Sequence, residues 1–130
     1  MKEYILDINY LLRFLLKDDP TLSEISRKTF EGAKSRKFKI EIPLVVFIEA
    51  NYALIKFYRL PKSEVVDKLM MTLNLPFIVI EKRDVLLAAL ILYGRTNFSL
   101  TDLILLTQAE KEGKELLTFD QRLKKLSTAL

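Results

Sequence analysis

Apolar positions change their period along the chain. Short runs of consecutive apolar or β-branched residues alternate with longer stretches in which apolar residues return every three or four positions. Lys2 to Leu6, with Tyr4, Ile5 and Leu6, predicts a buried strand. Phe38 to Ile42, Phe77 to Ile80 and Glu115 to Leu117 predict three more. Asn9 is placed to cap a helix carrying Leu11, Leu12, Phe14, Leu15 and Leu16, which Asp18-Asp19-Pro20 breaks. Thr21-Leu22-Ser23-Glu24 has the capping-box spacing and predicts a helix to about Ser35. Pro43 suits the first turn of a helix from about Leu44 to Tyr58 that is apolar nearly all round. Leu60-Pro61 ends it, and Ser63 caps the next helix, through about Leu73. A helix from about Arg83 to Tyr93 is expected to end at Gly94. Ser99 or Thr101 caps another that ends at Gly113, and a short final helix runs to about Leu126. Strands alternating with helices predict an α/β fold with a parallel sheet covered on both faces, in one domain spanning residues 1–130.

Composition narrows the chemistry. Half of the 130 residues are hydrophobic and 29% are charged, enough for a core. The chain has no Cys and no His. That excludes disulfides, thiol nucleophiles, imidazole acid–base catalysis and the usual zinc ligands. Any catalysis must come from carboxylates, Lys or Arg, hydroxyls and hard metal ions. The net charge of +4 is mildly basic; a solvated surface accounts for it, and by itself it does not point to a polyanionic partner. No run approaches the length of a membrane span. The stretch from Tyr4 to Leu16 is interrupted by Asp7, Asn9 and Arg13, so it reads as structure rather than a leader, and a cytoplasmic protein is expected.

Four acids stand in apolar surroundings: Asp7 after Tyr4-Ile5-Leu6, Glu49 after Val45-Val46-Phe47-Ile48, Asp102 before Leu103-Ile104-Leu105-Leu106, and Asp120 after Leu116-Leu117-Thr118-Phe119. Each has a plainer role open to it. Asp7 can cap the following helix, Glu49 can pair with a core cation, Asp102 can be a first-turn acid, and Asp120 can be a turn residue. Asp7 and Asp120 each follow a predicted strand, and ligands of parallel sheets bind beyond the carboxyl ends of strands. Four clustered carboxylates repel one another unless a cation compensates them. Oxygen ligands of this kind suit Mg²⁺ or Mn²⁺, which can activate water for phosphodiester hydrolysis. Asn9, Ser99 and Thr118 are candidates to support the acids, and Arg13 and Arg122 to contact a polyanionic substrate.

These residues resemble those of PIN-domain ribonucleases, most closely VapC-type toxins of VapBC toxin–antitoxin systems. The matching pieces run in the family's order: Leu6-Asp7-Ile8-Asn9-Tyr10-Leu11-Leu12-Arg13-Phe14-Leu15, Asp18-Asp19-Pro20, Ile48-Glu49-Ala50, Ser99-Leu100-Thr101-Asp102 and Leu116-Leu117-Thr118-Phe119-Asp120. The resemblance implies a three-layer α/β/α sandwich with a short, mainly parallel sheet of four or five strands. It implies Mg²⁺- or Mn²⁺-dependent cleavage of RNA by Asp7, Glu49, Asp102 and Asp120. Asp7 and Asp102 are its principal metal ligands, Asp120 is a further one, and Thr118 is the hydroxyl accompanying the fourth acid. It also implies a homodimer and a small cognate antitoxin. Relatives often carry a further acid three residues before the third one, where this chain has Ser99. Phe57, Tyr58, Leu69, Met70 and Met71 are candidates for a dimer or antitoxin surface. The alternatives are a catalytically silent PIN-like binding module and an aspartyl-phosphate enzyme using Asp7. Against the latter, Asn9 stands where such phosphatases carry a second acid.

Overall fold

Ile40 and Ile42 are fully buried, whereas Lys39 and Glu41, which alternate with them, face solvent. This is the period of a strand with one face in a core. The four residues form β2 (Lys39–Ile42), the middle strand of a parallel sheet ordered β1-β2-β3. β1 (Glu3–Ile5) sets Tyr4 opposite Ile40, and β3 (Val79–Ile80) sets Ile80 opposite Ile42. Ile5, Glu41 and Val79 are neighbours on the other face and are all exposed. The computed structural model describes all residues, 1–130, and divides into two compact units, Met1–Glu81 and Lys82–Leu130.

The first unit holds the sheet and four helices: α1 (Ile8–Leu16), α2 (Pro20–Lys34), α3 (Leu44–Lys56) and α4 (Lys62–Leu73). α1 packs on α2 and α3, α3 on α4, and α2 on β2. Leu11, Phe47, Leu54, Val65 and Leu69 are fully buried among them. Each such side chain contributes about 1.5–3 kcal/mol by leaving water. Phe14 of α1 stacks on Phe30 of α2, with ring centroids 3.8 Å apart. Gly32 lets Phe38 approach α2 closely: a Cβ there would lie 2.3 Å from the tip of the Phe38 ring. The nearly all-apolar sequence of α3 is explained by its two helical neighbours.

The second unit is helical: α5 (Arg83–Arg95), α6 (Leu100–Lys111) and α7 (Gln121–Ala129). Val85, Leu86, Ala89, Leu90 and Tyr93 are the buried side chains of α5; those of α6 are Leu100, Leu103, Ile104, Leu106 and Thr107. The two helices pack together, and the Thr107 hydroxyl donates to the Leu103 carbonyl at 2.7 Å. α7 buries only Leu123.

The α/β class holds, and several boundaries move. The expected strand over Glu115 to Leu117 is absent, so the sheet has three strands rather than four or five. Apolar residues supply strand propensity, but a strand forms only where a ladder partner takes its hydrogen bonds. Leu117 is left 91% exposed. α1 begins one residue earlier than its expected cap: Asp7, not Asn9, holds the N-cap position. α2 is capped by Asp19, whose carboxylate accepts from the Leu22 N–H at 3.0 Å, with Pro20 as its first residue. An Asp-Pro start displaces the Thr21 capping box because proline's fixed φ already suits the first turn. α4 starts at Lys62 behind Pro61 rather than after Ser63, and α5 runs through Gly94 to Arg95. Ser99 caps α6 as expected. No helix is long and apolar enough to cross a membrane.

Candidate functional site

Asp7 and Glu49 belong to the first unit. β1 delivers the chain to Asp7, which has extended backbone angles, and its carbonyl accepts from the Tyr10 N–H at 3.1 Å as α1 begins. Its side chain makes no capping bond. The plainer role for Asp7, side-chain capping of α1, is therefore not taken up, and the exposed carboxylate is free. Glu49 lies on the exposed side of α3 and forms no ion pair, so it does not neutralise a core cation. Ile8, the first residue of α1, lines an open depression with Glu49, Tyr52 and Phe57, about 370 Å³ in volume. Glu49 thus stands across a shared hollow from the residue that follows Asp7.

A neighbouring acid behaves differently. Pro43 gives α3 no side-chain cap, and Glu81, one residue past β3, accepts from the Leu44 N–H at 2.9 Å. Three acids thus stand at or near the carboxyl end of the sheet, and Glu81 is the one tied down. Another hollow of this unit, about 790 Å³, lies elsewhere. It is lined by Phe14, Leu16, Arg27, Glu64, Asp67 and Met71 among others, and contains none of the candidate acids.

Asp102 and Asp120 belong to the second unit. Ser99 Oγ accepts from the Asp102 N–H at 3.1 Å, which fixes the first turn of α6 and leaves the half-buried Asp102 carboxylate uncommitted. The positive end of the helix dipole favours a negative charge there. Asp120 caps α7: its Oδ1 accepts from the Leu123 N–H at 3.0 Å. Thr118 Oγ1 accepts from the Asp120 N–H at 3.1 Å, so the expected hydroxyl does support the fourth acid's backbone. The Arg122 guanidinium lies 4.9 Å from the centre of the Phe98 ring. That contact sets the N-terminal ends of α6 and α7 side by side, with Asp102 on one and Asp120 on the other.

The two candidate arginines differ. Arg122 is exposed apart from its aromatic contact. Arg13 is engaged within its own unit: its Nη2 donates to the Tyr58 hydroxyl at 2.6 Å, and its Nε lies 3.2 Å from Asp18 Oδ1, shielded from solvent and without hydrogen-bond alignment. Tyr58 was not foreseen as Arg13's partner. The two residues are 45 positions apart, and nothing local links them. Asn9 is exposed on α1, one turn before Arg13. Of the candidate surface residues, Leu69 is core, whereas Phe57 is 74% exposed and Met71 is also exposed.

The donor set fits a hard cation: all four side chains are carboxylates, and Asp7, Glu49 and Asp102 are free of hydrogen bonds and ion pairs. Five other acids, Asp18, Glu24, Glu31, Glu64 and Glu112, are paired with cations, and the Lys114 hydrogen bond holds the Glu112 carboxyl below its ordinary range. Within neither unit do three acidic side chains converge on one point. Each unit brings a pair.

A family model described as "PIN domain" matches residues 4–128. The chain is 28% identical, over 123 residues, to a VapC ribonuclease of Aquifex aeolicus (strain VF5), covering 94% of this chain and 90% of that protein.

Proposed function

The chain belongs to the PIN domain family, and from that premise we propose that it is a divalent-metal-dependent endoribonuclease of VapC type, the toxin of a toxin–antitoxin pair. The observation that carries the reading is the state of three acids. Asp7, Glu49 and Asp102 keep their carboxylates free of capping bonds and ion pairs in segments rich in apolar residues. We take residues 1–130 as one PIN domain with Asp7, Glu49, Asp102 and Asp120 as its acidic quartet. Asp7, Asp102 and Asp120 would hold Mg²⁺ or Mn²⁺. A cation bound by them would supply a polarised water and charge to offset the negative charge that develops on phosphate. The chain's own part is to supply oxygen ligands. Ser99 and Thr118 steady the backbone beside Asp102 and Asp120. Basic residues outside the acids attract the polyanion that the acids repel.

The relative's name supports RNA as substrate. A small antitoxin and a second copy are the partners proposed, with exposed Phe57, Tyr58 and Met71 as surface for them, in the cytoplasm. The test is incubation of the purified chain with structured RNA and Mn²⁺, with EDTA as control. Cleavage that stops in EDTA and in an Asp7→Asn variant upholds the reading. One observation favours the second reading, a silent PIN-like binding module: neither unit alone gathers three carboxylates. RNA binding without cleavage at any Mn²⁺ concentration would establish it.

A further inference from the structure

Phe119 is 99% exposed, the most open large hydrophobic side chain of the molecule. It is also held in place. The Asp120 N–H donates to Thr118 Oγ1 across it, and the Asp120 carboxylate is fixed in turn by the Leu123 N–H. The backbone on both sides is tied, and the ring is presented to water. Three residues on, Arg122 lays its guanidinium over Phe98, and Lys124 and Lys125 are exposed on the same helix. An exposed aromatic ring on a tied backbone, just before a basic helix, suits one ligand chemistry. Unpaired bases stack on aromatic side chains and arginine planes while lysines meet the phosphates.

We propose that Phe119, together with the Arg122–Phe98 pair, forms a stacking subsite for unpaired bases of single-stranded RNA next to Asp120. The proposal deepens the ribonuclease reading and rests on it for the identity of the polymer. RNA is favoured over an apolar protein partner by the exposed cations of the helix that follows, Arg122, Lys124 and Lys125. Leu117 separates the two occupants. It is 91% exposed, so a protein surface would cover it as readily as Phe119, whereas a base gains stacking only from the ring.

The experiment measures binding of a fluorescent single-stranded oligoribonucleotide to the full chain in EDTA, where no cleavage intervenes. Phe119→Ala should weaken binding about tenfold, from the usual worth of one stacked base. Phe119→Trp should restore it, and Leu117→Ala should leave it unchanged. On a strand made abasic throughout, Phe119→Ala should bind as the wild type does. Equal affinities of Phe119→Ala and wild type for the normal strand would overturn the subsite, and so would an equal loss in Leu117→Ala. Wild-type cleavage in Mn²⁺ with no effect of Phe119 would sink the subsite and leave the nuclease standing. Binding that depends on Phe119 without cleavage would do the reverse.

Discussion

The starts of α1 and α7 are built from the same residue and use it differently. Asp7 and Asp120 are both N-cap residues with extended backbone angles. Asp120 gives an oxygen to the Leu123 N–H; Asp7 gives none to α1. The difference follows from what else holds each helix. α1 buries Leu11, Leu12 and Leu15 and packs on two helices, so it has no need of a capping carboxylate. α7 buries only Leu123, so the cap is a large part of what fixes it. A well-packed helix can leave an acid at its end free for other work. A poorly packed one cannot, and there the acid is committed to the cap.

The largest effect is expected from charge at the free cap. Asp7→Asn keeps shape and should lower Mn²⁺-dependent RNA cleavage by about 10²–10³, the scale of losing one electrostatic stabiliser of a transition state. Its melting temperature should stay near that of the wild type. Cleavage within a few-fold of wild type would remove Asp7 from the chemistry. Next comes Arg13→Ala, which removes the bond to Tyr58 and the pair with Asp18. It should destabilise the chain by about 1.5–3 kcal/mol in urea unfolding, the range for hydrogen bonds to charged groups. If RNA affinity falls while stability holds, Arg13 is a substrate contact instead.

The two caps can then be compared directly. Asp120→Ala should cost about 1 kcal/mol, the usual worth of an N-cap side chain. Asp7→Ala should stay within about 0.5 kcal/mol, as for a side chain without a structural bond. Denaturant midpoints of the two variants measured side by side decide this, and equal losses would refute the contrast. Ser99→Asp is expected to keep the cap of α6, since aspartate caps as well as serine does. It would also add a carboxylate near Asp102, so the rise in melting temperature on adding Mn²⁺ should exceed that of the wild type.

The smallest effect concerns Glu112. The Lys114 hydrogen bond lowers its pKa from the ordinary 4.5. A folded-state pKa below the unfolded value adds stability that is present above about pH 4.5 and is lost as pH falls through the folded value. Glu112→Gln should therefore flatten the decline of stability below that pH. An unchanged slope would show that the exposed pair contributes nothing measurable.

The amino-acid order by itself determined the α/β class, the placement of most helices and the singling out of Asp7, Glu49, Asp102 and Asp120. These depend on local matters: the period of apolar residues, prolines that end helices, and charges in apolar company. It also placed Ser99 at the head of α6, because a cap bonds only within its own first turn. Tertiary structure decided what depends on distant partners. Whether Glu115 to Leu117 becomes a strand turns on a ladder neighbour, and no run of leucines supplies one. Whether Asp7 caps or stays free turns on how well α1 is packed elsewhere. Arg13 reads as a surface cation until Tyr58, far along the chain, engages it. Phe119 reads as one more apolar residue before an acid, and only the folded chain holds its ring out in water. Local rules choose the elements and their caps. Burial and pairing across the chain choose which side chains remain free to act.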